Sequence, residues 1–468
     1  MDDRELAQLL EAIETIHEHA RRMGLDGFPM RYEICPADVL YTFGAYGMPA
    51  RFSHWSFGKA FYRMKTEYDY NLSRIYELVI NSDPCYAFLL EGNSLLQNKV
   101  IVAHVLAHSD FFKHNYRFAQ TSRNMVETMS AHAARIRRYE MRYGRESVEA
   151  LLDAALALQE QVDPHQALRR APPVEPDEAS KAPLRPSTPY DDLWELDELS
   201  TQARGEQTRV DGSNSRPGEG CRDLLLFLAE HARGLAEWQR DVLTIVREEM
   251  LYFWPQMETK VLNEGWATYW HARLMREMEL TEEEAVEFAR LHASVLARSR
   301  THVNPYDLGY HILLDIEQRF GASGPGMSQP GDAAWQKLFE IRETETDLSL
   351  VRNYLTRELV EKLDLFVYRR DGDEWVVTDK DWHRVRDELV QQMTNCGVPV
   401  IVVADGDWRG SGELYLEHRY EGIQLDRVYA ERTLPYVFRI WGRPVHLETV
   451  LDGKRAVLTC DGGRVVWK

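Results

Sequence analysis

The chain has 468 residues and a formal net charge of −19, and its hydrophobic (44%), aromatic (11%) and charged (28%) contents are typical of a globular protein with a sizeable core. The acidic balance argues against general binding of nucleic acid or anionic membranes, because such binding needs a basic surface. No apolar run approaches the ~20 residues of a membrane-spanning helix. The acidic start of the chain lacks a secretory signal, and the five scattered cysteines form no C-x-x-C pair. We therefore expect a cytoplasmic protein.

Helical spacing of apolar residues dominates the chain up to about residue 362. The pattern predicts helices over 5–23, 120–161, 221–252, 257–278 and 281–300, and a further helix after Asn304-Pro305. Thr281 and Glu284 form a capping box at the start of one of them. We expect residues 1–162 and 221–362 to form one helical body.

The segment 163–220 differs in composition from its surroundings. It holds 8 of the 19 prolines, together with many acidic, Ser and Gly residues. Proline interrupts helices and this composition buries little apolar surface. We predict a surface insertion or linker.

The pattern changes again near residue 363. Short β-branched or aromatic runs are separated by Asp-Gly and Gly-Gly turns, as in hairpins; the runs are 365–368, 374–377, 398–403, 412–418, 436–441, 445–450 and 456–459. One helix is expected over 379–394. The sequence therefore predicts an α+β protein, with a mainly helical body and a smaller C-terminal α+β module over 363–468.

The segment V-A-H-V-L-A-H-S-D, which contains His104 and His108, carries the first sign of chemistry. Side chains four positions apart lie on one face of a helix, so both imidazoles can bind one ion. Two polar residues at the edge of a core helix, hydrogen-bonded to backbone groups, would explain the same pair.

The segment V-L-N-E-G-W-A-T-Y-W-H places Glu264 among apolar and aromatic neighbours, with His271 two turns further along the same helical face. A buried carboxylate is costly unless it is paired or bound to a cation. A metal satisfies this need, and so does a buried ion pair with an Arg or Lys.

Taken together, H-V-L-A-H (104–108) and N-E-G-W-A (263–267) resemble the two ligand helices of the gluzincin metallopeptidases, whose patterns are H-E-x-x-H and N-E-G-x-A. The resemblance implies a zincin-like body in which His104, His108 and Glu264 bind a divalent metal, which is zinc in the gluzincins, with a fourth position for water. Two departures stand out. Val105 replaces the catalytic glutamate, and 155 positions separate His108 from Asn263.

Five segments in order along nearly the whole chain resemble the SpoVR (stage V sporulation protein R) family: Y-G-M-P-A-R-F-S-H-W-S-F-G-K (46–59), N-S-D-P-C-Y-A-F-L-L-E-G-N (81–93), the His104/His108 segment, N-E-G-W-A (263–267) and N-P-Y-D-L-G (304–309). The resemblance implies a cytoplasmic bacterial protein connected with assembly of the spore cortex. It also implies a PrkA-type serine kinase and a von Willebrand-type protein as partners, and it supplies no biochemical activity.

If a metal is bound, another residue must replace the base that is absent at Val105. Glu91, after the apolar run 87–90, is the first choice. His54 and His271 are candidate proton carriers or extra ligands. Tyr306 and Tyr310 are candidate hydrogen-bond donors to an oxyanion. A structural role explains His54 and the tyrosines equally well.

The sequence thus supports two hypotheses of different classes. The first is a metal-dependent hydrolase that cleaves an amide or peptide-like bond, in a substrate related to the cell wall. The second is a non-catalytic regulator or scaffold that acts with the kinase system in sporulation or a stress response. Val105 favours the second hypothesis, whereas the two histidines and the Asn263-Glu264 pair favour the first.

Overall fold

The computed structural model describes residues 3–70, 75, 77–166, 219–299, 302–321, 332–371 and 374–468. Most of the predicted insertion, 167–218, therefore lies outside the described residues. The helices before it are α1 (Asp3–Arg22), α2 (Ala37–Tyr46), α3 (Trp55–Asp69), α4 (Leu95–His114), α5 (Met125–Tyr143) and α6 (Arg145–Leu156). Those after it are α7 (Leu224–His231), α8 (Glu237–Glu258), α9 (Lys260–Glu277), α10 (Glu282–Val295), α11 (Pro305–Gly321), α12 (Asp332–Thr344), α13 (Asp347–Tyr354), α14 (Arg357–Lys362), α15 (Trp382–Met393) and α16 (Arg427–Trp441).

The described strands form three sheets. In the first, β1 (Met30–Cys35) runs parallel to the central β3 (Cys85–Leu90), and β2 (Glu77–Ile80) runs antiparallel to β3. A two-stranded sheet pairs β4 (Val367–Asp371) with β5 (Glu374–Asp379). The third sheet has the order β10-β9-β8-β7-β6, built from β6 (Ile401–Trp408), β7 (Glu413–His418), β8 (Val445–Leu451), β9 (Lys454–Asp461) and β10 (Arg464–Trp467). The α+β fold class, with a helical body and a C-terminal sheet, is confirmed.

Helix α4 lies at the centre of the body. Ser94 and Gln97 close a capping box at its start, and every residue of 101–112 is buried. A helix that is apolar on all sides is stable only when other elements surround it. Helices α1, α9 and α12 and the first sheet pack on α4, and together with α11 they enclose the first core cluster.

Helices α9 and α11 cross in direct backbone contact. A Cβ atom on Gly265 would lie 2.5 Å from the carbonyl carbon of Gly309, and one on Gly309 would lie 2.1 Å from the carbonyl oxygen of Val261. Only glycine allows two backbones to approach so closely. The crossing therefore fixes how α9 lies between α4 and α11.

The C-terminal sheet packs against α16 on one side of the second core cluster, to which α6, α7 and α8 of the helical body also contribute. Cys221, just after the insertion, forms a β-bridge with Val403 of β6. Helix α15 contributes Val385, Leu389 and Val390 to the first cluster instead. In the described part of the chain, no helix combines the length and apolarity needed to cross a lipid bilayer.

Three predicted elements differ from the structure. The helix predicted over 221–252 is two helices, α7 and α8, separated at 232–236. The run 436–441, predicted as a strand, is the end of α16. Its buried residues Leu434, Val437, Ile440 and Trp441 follow helical spacing, which the β-branched and aromatic composition concealed. The helix predicted over 120–161 is divided at Gly144, whose φ of 88° ends α5 before α6 begins.

Candidate metal centre

His104 and His108 lie one turn apart in the middle of α4, on the side that faces α9. Both side chains are buried, and their Nε2 atoms are 3.1 Å apart with the rings perpendicular. The predicted helix and the shared face of the two histidines are thus present. Their Nε2 atoms converge on a single point.

Glu264 reaches that point from α9. Its Oε2 atom lies 3.3 Å from Nε2 of His108 and 3.6 Å from Nε2 of His104. One ligand atom from each of the three residues can be chosen so that all lie within 4.8 Å of one another. No Arg or Lys pairs with Glu264 among the described residues. The side chain of Glu264 keeps 19% exposure, so the site is open to solvent on one side.

Buried polar contacts hold α9 in this position. Asp347 of α13 accepts hydrogen bonds from the backbone N–H groups of Val261 and Leu262, each at 2.8 Å, at the start of α9. Asp110 of α4 accepts from Nε1 of Trp266 at 3.0 Å and forms an ion pair with Arg342. These contacts lie on both sides of Glu264 in the sequence, so its side chain has little freedom to leave the two histidines.

The Nδ1 atoms of the two histidines, here called their outer nitrogens, have hydrogen-bond partners of their own. Nδ1 of His108 lies 2.8 Å from the Asn263 amide oxygen, and Nδ1 of His104 lies 3.0 Å from Nδ1 of His271. An amide oxygen only accepts, so His108 donates from Nδ1 and its neutral ring keeps a lone pair on Nε2. Second partners of this kind orient metal-binding histidines in proteins.

The residues present fit a cation. The Oε2 atom of Glu264 is buried and has no hydrogen-bond partner within the described part of the chain. It faces the Nε2 atoms of His104 and His108, and the Nδ1 atoms of the same two rings already have hydrogen-bond partners. Two histidines and one carboxylate form a common zinc ligand set, and three protein ligands are typical of a catalytic rather than a structural site.

The ionisation of the three groups is strongly coupled. Burial alone would raise the pKa of Glu264, but His108 and His104 hold it well below the usual value of 4.5. Burial would lower the pKa of His108, but the charge of Glu264 outweighs it and the pKa is raised. The pKa of His104 is lowered, mainly by burial. In the absence of a cation, a His108 imidazolium would pair with the Glu264 carboxylate.

A chain of histidines extends outward from His104. His271, on α9, is an outer partner of His104, and its Nε2 atom lies 3.0 Å from Nδ1 of His292 on α10. Burial and the neighbouring His104 hold the pKa of His271 well below its usual value, so the ring is neutral. His292 is partly exposed and was not identified from the sequence, because a single histidine on an amphipathic helix carries no signal.

A second carboxylate, Glu77 at the start of β2, lies near enough to the site to be influenced by the charges of Glu264 and His108. Its side chain is half-buried and has no hydrogen-bond or ion-pair partner among the described residues. Burial, followed by the negative charge of Glu264, raises the pKa of Glu77 to about 7, and the opposing effect of His108 is smaller. Glu77 was missed by the sequence analysis. Its only sequence signal is a glutamate at the start of an apolar strand.

Two other predicted residues, Glu91 and His54, make no contact with the three ligands in the described part of the chain. Glu91 is exposed in the turn after β3, where its backbone N–H donates to the Cys35 carbonyl. No contact between its side chain and the three ligands is seen. His54 caps the start of α3, with its ring hydrogen-bonded to Ser56 and Asp153. None of its hydrogen bonds reaches the ligands, and these contacts account for it structurally.

The two predicted tyrosines lie on the face of α11 that covers the site. The Tyr306 ring stacks on His104 with centroids 6.1 Å apart. Burial and the charges of Glu264 and Glu77 raise the pKa of Tyr306, so its hydroxyl stays protonated at neutral pH. Tyr310 instead contacts the ring of His292, at 5.3 Å between centroids.

Two family models match consecutive parts of the chain. Residues 3–398 match the family model described as SpoVR like protein, and residues 399–452 match the model described as SpoVR-like C-terminal domain. The chain is 28% identical over 473 aligned positions to the uncharacterized protein YcgB of Escherichia coli (strain K12), which covers 93% of this chain and 90% of that protein. No solved structure matches the chain significantly.

Proposed function

The chain belongs to the SpoVR family, and because that membership supplies no reaction, we propose from its own residues that it is a metal-dependent hydrolase of amide or peptide-like bonds. His104, His108 and Glu264 would hold the metal, most simply zinc. The observation that supports this proposal is the buried Oε2 atom of Glu264, which has no hydrogen-bond partner among the described residues and faces two imidazole nitrogens.

A zinc ion bound there would polarise a substrate carbonyl and lower the pKa of an attacking water toward neutrality. The protein itself must then supply a proton acceptor. Val105, at the position of the gluzincin glutamate, is an apolar and fully buried side chain and cannot act in this way. A group from another element must therefore accept the proton, and a carboxylate is the usual one in this chemistry.

Two carboxylates are candidates, and the electrostatic coupling to the site favours Glu77 over Glu91. Glu77 is electrostatically coupled to both Glu264 and His108, whereas Glu91 is exposed. Glu77 would take a proton from the water as its oxygen bonds to the carbonyl carbon, and would return it to the amine as the carbon–nitrogen bond breaks. Tyr306, which remains protonated and stacks on His104, is suited to donate a hydrogen bond to the developing oxyanion.

We further propose a cytoplasmic role in sporulation or a stress response, with a peptide or cell-wall-derived substrate. A PrkA-type serine kinase and a von Willebrand-type protein remain the proposed partners. These parts of the proposal come from the family resemblance alone.

Metal analysis of the purified full-length protein tests the proposal. We expect about one equivalent of zinc or another transition metal per chain, lost in His104→Ala and in Glu264→Gln. His114→Ala, at the exposed end of the same helix, is the matched control and should keep the metal. A wild-type protein that stays metal-free after incubation with zinc would overturn the proposal and agree with a non-catalytic regulator. Retention of metal by His104→Ala would also contradict it.

A further inference from the structure

A large cavity lies where the helical body meets the C-terminal sheet, among residues to which the proposed hydrolase assigns no role. It has a volume of about 570 Å³. Its walls come from the segment after α6, the start of α7, the segment between α15 and β6, the sheet, and α16. Leu158, Leu416 and Leu434 lie in its wall and are also members of the second core cluster.

The size of the cavity is inconsistent with a minor packing defect. Protein interiors contain few voids larger than a water molecule, and an empty apolar cavity destabilises the fold in proportion to its volume. Ligand and anchor pockets have volumes of about 300–1,000 Å³. A cavity of this volume, walled by core leucines, is therefore expected to receive apolar groups from another molecule.

The apolar surface continues beyond the mouth of the cavity. Ile423 and Tyr429 line the mouth, and their side chains are 53% and 74% exposed. Tyr420 and Val428, beside them in sequence, are also exposed. Exposed apolar side chains around a pocket are typical of protein interaction sites, in which tyrosine often carries much of the binding energy.

The charges at the cavity are mainly negative. Among the described residues that line it, three carry carboxylates, namely Glu160, Glu421 and Asp426. Arg419 is the one Lys or Arg in that described lining, and it already pairs with Glu417. A basic partner is therefore favoured over an acidic one, because complementary charge speeds association and selects partners.

One buried polar group also lines the cavity. Nδ1 of His418 is hydrogen-bonded to the Thr449 hydroxyl at 2.8 Å, and its Nε2 atom has no hydrogen-bond partner in the described ranges. The side chain is 7% exposed. It thus offers one available hydrogen-bonding atom on the same wall as Leu416, which suits recognition of a single backbone or side-chain polar group.

The segment between α15 and β6 contributes backbone in an unusual conformation to the wall. Asn395 and Cys396 have φ angles of 51° and 57°, in the left-handed region that non-glycine residues rarely occupy. Arg222 holds the Asn395 side-chain oxygen, and the Asn395 amide donates to the Val398 carbonyl at 2.7 Å. Such strained backbone persists where its surroundings hold it in place, and it is found at ligand-binding walls.

We infer that this cavity is a docking site for a segment of a partner protein that inserts large apolar side chains and carries lysine or arginine beside them. The apolar wall receives the inserted side chains, the exposed Tyr429 and Ile423 cover their flanks, and the carboxylates at the mouth pair with the basic residues. A small amphiphile would use the cavity but not the apolar surface outside it.

Selection from a displayed library of random dodecapeptides on the immobilised full-length protein tests the inference. Enriched peptides should combine large apolar and basic residues. A labelled enriched peptide should bind about tenfold or more weakly to Tyr429→Ser, whereas Tyr62→Ser, at an equally exposed tyrosine of α3, should leave its affinity unchanged. Glu421→Lys should weaken binding and reduce its dependence on salt.

Ala430→Phe provides an independent arm, because it places a ring in the cavity without removing any charge. This variant should lose peptide binding while its melting temperature stays the same or rises. The inference fails if the enriched peptides bind Ala430→Phe and Tyr429→Ser as well as wild type, or if they lack the apolar and basic combination. It also fails if Ala430→Phe abolishes the binding of a small amphiphile such as anilinonaphthalenesulfonate but leaves peptide binding unchanged. None of these outcomes depends on the metal site.

Discussion

His104 and His271 are joined through their Nδ1 atoms, 3.0 Å apart, so a residue of α9 determines which nitrogen of a residue of α4 faces Glu264. His271 in turn contacts His292 on α10. We predict that His271→Ala lowers zinc affinity by about 10–100-fold, because outer partners orient metal-binding histidines. Competition with a chelator of known affinity measures this. His271→Asn, which retains a polar group at this position, should recover part of the loss, and an unchanged affinity in His271→Ala would rule out the orienting role.

Glu77 and Glu91 can be distinguished by one matched pair of variants. We expect Glu77→Gln to bind metal normally and to lose about 10²–10⁴-fold in turnover, because the amide cannot accept a proton. Glu91→Gln should remain active, since its side chain is exposed in the turn after β3. Release of new amino groups from a mixed peptide digest measures turnover. The opposite pattern would assign the base to Glu91.

The contact between Gly265 and Gly309 predicts a large difference between two glycine substitutions. Gly265→Ala places a Cβ atom 2.5 Å from the Gly309 backbone, so we expect a loss of about 1–3 kcal/mol or more in the free energy of unfolding. Gly58→Ala, in α3 with no atom within 4 Å of the new Cβ, should stabilise the protein by about 0.5–1 kcal/mol. Denaturant unfolding measures both. Equal effects would show that the helices separate easily.

The buried His132 predicts part of the pH dependence of stability. Burial would lower its pKa, but hydrogen bonds to Glu248 and Glu249 raise it to about 9. A histidine whose pKa is higher in the folded state contributes its full stabilisation at pH values below its unfolded pKa of 6.5. This contribution is lost as the pH rises through 9. Wild type should therefore lose stability between these two pH values.

His132→Gln should lose much less of its stability over the same range, since it has no titrating ring. Unfolding curves measured at a pH below 6.5 and at a pH above 9 make the comparison. A variant whose stability falls as steeply as that of wild type would place the titration at another group.

Much of the helical body was predictable from local pattern. The capping box at Thr281 and Glu284 is present at the start of α10, because it depends on residues three positions apart. The spacing of His104 and His108 predicted a shared helical face for the same reason. The strand predicted over 436–441 was wrong, since composition favoured a strand while burial in α16 follows helical spacing.

The sequence by itself determined the α+β class, the helix that carries both histidines, and the motif that contains Glu264, because each depends on neighbours within one element. The resemblance of the two motifs to gluzincin ligand helices predicted that Glu264 joins the two histidines. Only the tertiary structure shows the distances between them, the contact of His271 with His104, and the position of Glu77 near the site. The residues involved lie on α4, α9, α10 and β2. These elements are distant along the chain and come together only in the packed fold. The Gly265–Gly309 contact, Asp110 and Asp347 set that packing, and no local pattern carries their geometry.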